Sequence, residues 1–94
     1  MTITAVIYYK FRLLTAEEEE KTKRDWEETK KQFPHGVRLL SINDHAWGTE
    51  YNGFLIVEAE SFEYFLDFWK WFKDKVRWYV ERTQIVIGTK RPES

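Results

Sequence analysis

Hydrophobic and polar positions along this chain switch between a period of two and a period near 3.6, and each switch marks an element. Ile3 to Phe11 is β-branched and aromatic and predicts a first strand, with faces Ile3, Ala5, Ile7, Tyr9 and Thr4, Val6, Tyr8, Lys10. Thr15 then caps a helix running to about Gln32, with Glu18 completing a capping box and Pro34 and Gly36 ending it. Val37 to about Asn43 reads as a second strand, which reaches Trp47 if it continues past Asn43. Asp44 to Gly53 turns the chain, and Phe54 to Ala59 is a third strand. Ser61 caps a second helix extending to about Trp78, and a last strand lies around Val80 to Gly88 before a polar tail, TKRPES.

The two helices differ in kind. Twelve of the eighteen residues from Ala16 to Phe33 are charged, and only Thr22, Trp26, Thr29 and Phe33 form a stripe at helical spacing. Glu17–Lys21, Glu19–Lys23, Glu20–Arg24 and Glu27–Lys31 stand at i,i+4 in the favourable order, so the charge run reads as a solvated face. The second helix is aromatic over most of its circumference. Phe62, Phe65, Leu66, Trp69, Phe72 and Val76 make one apolar face, and Tyr64, Phe68 and Trp71 extend it. A lone small domain has little use for that extension, which predicts a ligand cavity or a contact with another chain.

The order β-α-β-β-α-β is that of a ferredoxin-like α+β domain with a four-stranded antiparallel sheet. Ninety-four residues make one domain, 1–94. Two helices cover one face of such a sheet, yet AVIYY, FLIVEA and QIVIG are apolar on both faces. A second copy of the same sheet is the simplest cover, so a homodimer is expected.

Composition narrows the function classes. The chain has 43% apolar and 18% aromatic residues, which excludes disorder, and no Cys, which excludes a disulfide framework, a thiolate nucleophile and a Cys-based zinc site. A net charge of −1 with interspersed signs leaves no electrostatic footprint for nucleic acid. No apolar run has the ~20 residues of a membrane span, and MTITAVIYYK reads as a strand and not as a signal peptide, so a cytoplasmic protein is expected. The four glycines form no phosphate-cradling loop, and the two His, ten residues apart, form no metal-binding spacing, so neither cofactor nor metal is expected.

The run FPHGVRLLSINDHAWG, followed by GFLIVEAES and an aromatic helix, resembles the dimeric α+β barrel superfamily, and within it an uncharacterised bacterial and archaeal domain family. The matching positions are Pro34, Gly36, Val37, His45, Gly53, Phe54, Glu58 and Ala59. The resemblance implies two ferredoxin-like sheets paired face to face and a small-molecule cavity between sheet and helices of each subunit. Relatives include cofactor-free monooxygenases, haem-degrading enzymes, isomerases and polyketide cyclases. The haem-degrading branch needs a His late in the second helix and an Asn on the first strand, and this chain has neither.

His45 is the best candidate for chemistry, because an imidazole exchanges protons near neutral pH. On a continued second strand Asn43, His45 and Trp47 share one face, where they could bind and deprotonate an acidic phenol or β-dicarbonyl compound; a hairpin His bonded to Asp44 or water is the alternative. His35 is expected to cap the first helix. Tyr64, Phe68 and Trp71 are ligand wall or dimer contact. Tyr8 and Tyr9 lie on opposite faces, so one phenol meets a cavity and the other a partner. Glu58 is either an acid or base with a raised pKa beside His45 or a solvated strand end. The expected function is a homodimer holding a small hydrophobic or aromatic molecule, either as a cofactor-independent monooxygenase, cyclase or isomerase with His45 as base and Asn43 or a tyrosine polarising a carbonyl, or as a non-catalytic binding or structural dimer.

Overall fold

The computed structural model describes residues 1–92 and contains the six predicted elements: β1 (Ile3–Phe11), α1 (Ala16–Lys31), β2 (Val37–Asp44), β3 (Gly53–Ala59), α2 (Phe62–Val76) and β4 (Val80–Thr89). All three strand pairings are antiparallel, in the order β2-β3-β1-β4. The last strand runs one residue further than expected, into the polar tail, whose final two residues lie outside the described residues.

Local chemistry sets the element ends. The Thr15 hydroxyl accepts from the Glu18 amide at 3.2 Å while the Thr15 amide donates to the Glu18 carboxylate at 2.9 Å, closing the capping box. After α1 the chain reverses through Gly36 at φ 89°, where a Cβ would lie 2.6 Å from the Tyr64 ring. Only glycine fits both the left-handed backbone and that contact. The ion pairs on α1 differ from the expected set: Lys21–Asp25, Lys23–Glu20, Lys30–Glu27 and Lys31–Glu28 form instead, three of them at i,i+3. Exposed pairs at either spacing are worth only about 0.2–0.5 kcal/mol, so small local differences choose the partner.

The core lies between the helices and one sheet face, where Ile3, Ala5, Ile7, Leu55, Val57 and Ala59 are buried against Phe65, Phe68, Phe72 and Val76 of α2. The α2 core face is rotated from the predicted one. Phe68 is fully buried, whereas Phe62 and Leu66 are 50% and 42% exposed. The first helix causes the rotation: Phe33, just past its end, packs on Phe68 and Trp71 at centroid distances of 5.1 and 5.8 Å, and Trp26 stands edge-on to Phe72 at 6.1 Å. The aromatic extension of α2 is therefore largely helix–helix packing.

A β-bulge interrupts β2 between Leu39 and Ser41. One extra residue inverts the facing of everything after it. Ile42 and Asp44 pair with Leu55 and Gly53 and face the helices, while Ser41 and Asn43 pair with Ile56 and Phe54 and face the open side. The open side carries Val6, Tyr8, Phe54, Ile56 and Val86 at its centre.

Candidate functional site

Because α1 is mostly charged, it brings few large side chains to the sheet. Its two buried residues are Thr22 and Thr29, and each turns its hydroxyl back to donate to a helix carbonyl, of Glu18 and Asp25, at 2.8 Å. Small, self-satisfied residues leave a gap beneath the helix. That gap is a pocket of about 380 Å³, within the usual range for small-molecule sites. Leu55, Ile42, Tyr9 and Asp44 form its floor, Thr22, Trp26, Glu27 and Lys30 its roof, and Phe72, Val76 and Tyr79 its far wall.

One row of the sheet supplies the polar end. Tyr9 on β1, Gly53 on β3 and Asp44 on β2 are in register. The Tyr9 hydroxyl crosses above Gly53 and donates to Asp44 Oδ1 at 3.2 Å. A Cβ on Gly53 would lie within 2.5 Å of that hydroxyl, so the glycine provides the space for the bridge. Burial, and then the charge and hydrogen bond of Asp44, push the Tyr9 phenol far above its ordinary value. Tyr9 is a neutral donor there, and Asp44 remains an acceptor and potential base at the pocket mouth.

Tyr79 is 3% exposed, and its hydroxyl is buried without a hydrogen-bond partner. Burial and the nearby Asp25 charge raise its pKa from 10.0 to about 12. Since the folded value exceeds the unfolded one, the associated stability is complete below pH 10 and is lost as pH rises through 12. The loss amounts to about 2–3 kcal/mol. Thermal melts across that window should show Tyr79→Phe losing less stability than wild type, and starting at or above it, because a buried unpaired hydroxyl costs about 1–3 kcal/mol.

The expected site residues do not converge. Strand β2 ends at Asp44, and His45 takes a left-handed backbone at φ 56°, so Asn43, His45 and Trp47 share no face. Asn43 faces the open side and donates to Ser41 Oγ at 3.1 Å. Trp47 is 94% exposed, and His45 is exposed. His35 stands edge-on to Tyr64 at 5.7 Å rather than capping α1, whose C-cap is Gln32. Tyr64 covers Gly36, Phe68 is in the core, and Trp71 packs between Phe33 and Phe68. Of the aromatic candidates only Tyr9 lines the pocket. Glu58 lies on the open face; its burial raises its pKa, but hydrogen bonds and charges from Arg38 and Lys90 outweigh this and leave it lowered, so it is no raised-pKa acid. Asp44, Trp26 and Tyr79 went unrecognised in the sequence. The usable signal was the stripe Thr22, Trp26, Thr29, too thin to fill the space over a sheet. Among the described residues no group of His, Cys, Asp or Glu could hold a metal ion, and no helix is long and apolar enough to cross a membrane.

Solved structures share this architecture. A DABB family protein with a ferredoxin-like fold from Mesorhizobium loti aligns with TM-score 0.70 and 15% identity, over 97% of this chain and 98% of its own. A dimeric protein of unknown function from Bacteroides fragilis aligns with TM-score 0.65 and 14% identity, over 95% and 96%. An uncharacterised NIPSNAP-like domain protein from Burkholderia xenovorans gives 0.64 and 18%, over 99% and 88%. The chain has the ferredoxin-like fold that these proteins share. No protein-family model and no curated protein matches the sequence. At these identities the likeness is one of fold, and the function rests on the pocket itself.

Proposed function

We propose that this chain is a small-molecule-binding protein that holds a hydrophobic or aromatic molecule between α1 and the sheet and works as a homodimer paired through its open sheet face. The observation that carries the reading is the pocket of about 380 Å³, with aromatic and aliphatic walls, the Tyr9–Asp44 pair on its sheet side and the polar side chains of α1 on its roof. The homodimer is supported by the apolar open face and by the dimeric description of the Bacteroides fragilis relative. Catalysis is the second reading, favoured by one feature: the Tyr9–Asp44 pair sets a carboxylate at the pocket, where it could take a proton from a bound molecule.

Filling the gap tests the binding reading. Titration of the protein with phenethyl alcohol, followed by amide NMR shifts, is expected to perturb residues around Trp26, Leu55 and Tyr79. Thr22→Leu, which adds bulk beneath α1, is expected to weaken that binding by about tenfold. His45→Ala and Trp47→Ala, outside the pocket lining, are expected to leave it unchanged. Shifts confined to the open sheet face would refute the assignment.

A further inference from the structure

The pocket lining carries two cations and two anions, Lys23 and Lys30 against Glu27 and Asp44, but both lysines are engaged in ion pairs along α1. Lys30 pairs with Glu27 at 3.0 Å, and Lys23 pairs with Glu20 at 3.4 Å. Asp44 has no cationic partner within ion-pair distance among the described residues, and the hydrogen bond to it at this site comes from the neutral Tyr9 hydroxyl at 3.2 Å. We propose that the pocket selects a protonated amine carried on an apolar body, with Asp44 receiving the ammonium group while the body lies against Trp26, Phe72 and Tyr79. This deepens the binding reading above and rests on it.

Three features of the site agree. An ionised carboxylate offers about four lone-pair positions, and Tyr9 occupies one, so Asp44 can still accept from an ammonium with its three donors. Five aromatic residues line the pocket, namely Tyr9, Phe11, Trp26, Phe72 and Tyr79. Their π faces attract a cation and repel an anion. The pocket also resists negative charge at both of its phenols. After burial, Asp44 is what raises Tyr9 and Asp25 is what raises Tyr79. A bound carboxylate would meet the same opposition.

An isosteric series separates charge from fit. Phenethylamine, phenethyl alcohol and hydrocinnamate have nearly the same body and carry a positive, neutral and negative head at neutral pH. By calorimetric or NMR titration of the wild-type protein, the amine is expected to bind about tenfold more tightly than the alcohol, and hydrocinnamate at least tenfold more weakly than the amine. Asp44→Asn is expected to abolish the advantage of the amine over the alcohol, so that the ratio of the two affinities falls from about ten to about one. Added salt should weaken the amine alone. If the alcohol binds in a Thr22-dependent way but the amine has no advantage, or hydrocinnamate binds best, the amine proposal falls and the pocket stands. If none of the three binds, both fall.

Discussion

Phe68→Ala is expected to lower the unfolding free energy by about 3–5 kcal/mol, which would leave little of the stability a domain of this size possesses. The side chain is fully buried and touches aromatic partners on three sides: Phe33 at 5.1 Å, Phe72 at 5.2 Å and Phe65 at 6.0 Å between centroids. Truncation removes the keystone between α2 and the end of α1 and opens a void that the surrounding rings, braced against one another, cannot collapse to fill. Leu66→Ala, two residues away on the 42% exposed side, is the control and is expected to cost no more than about 1 kcal/mol. Urea unfolding followed by far-UV circular dichroism measures both. A ligand wall or a dimer contact would give the opposite ranking, with Phe68→Ala mild in the monomer. A Phe68→Leu variant, smaller in loss and expected to fold, should retain pocket binding, because Phe68 does not line the pocket.

How far the residues alone could be read follows from what each inference depends on. Strand and helix limits depend on local chemistry, such as the Thr15–Glu18 box and the Ser61 cap, and these stand within a residue or two of expectation. The apolar open face depends on strict alternation in β1 and β3, where Val6 and Ile56 sit opposite each other as period-two counting requires. The site depended on β2, where counting failed. The bulge between Leu39 and Ser41 has no glycine or proline to announce it, and it exchanged Asn43 for Asp44 on the pocket side. His45 and Trp47 then left the sheet altogether. The face of α2 was misplaced for another reason. Periodicity reports which residues are apolar, but the rotation of a helix oily on most sides is set by its neighbour, here Phe33 and Trp26. The pocket itself comes from missing volume under Thr22, which no motif encodes.

Ile56→Glu is expected to convert a dimer into a monomer, weakening self-association at least about a thousandfold, or roughly 4 kcal/mol. Ile56 lies in the middle of the open face, in register with Ser41, Val6 and, one strand further, Val86, which is 53% exposed. The next row, Asn43, Phe54, Tyr8 and Gln84, continues the apolar centre through Phe54 and Tyr8, whose rings lie 5.5 Å apart. Polar groups bound this surface at both ends. The Arg38–Glu58–Lys90 cluster closes one, and the Glu50–Arg82 pair, with Arg82 over the Tyr51 ring, closes the other. An apolar centre inside a charged rim is the anatomy of an interface between proteins. Two-fold pairing would bury the substituted residue of both copies, so a single change introduces two carboxylates into a surface with no compensating cation at its centre. Because Ile56 points away from the helices, the variant should keep its circular dichroism spectrum while its sedimentation coefficient falls to that of one chain. Wild-type protein that already sediments as a single chain at high micromolar concentration would remove the homodimer, while binding in the pocket, formed within one subunit, would be unaffected.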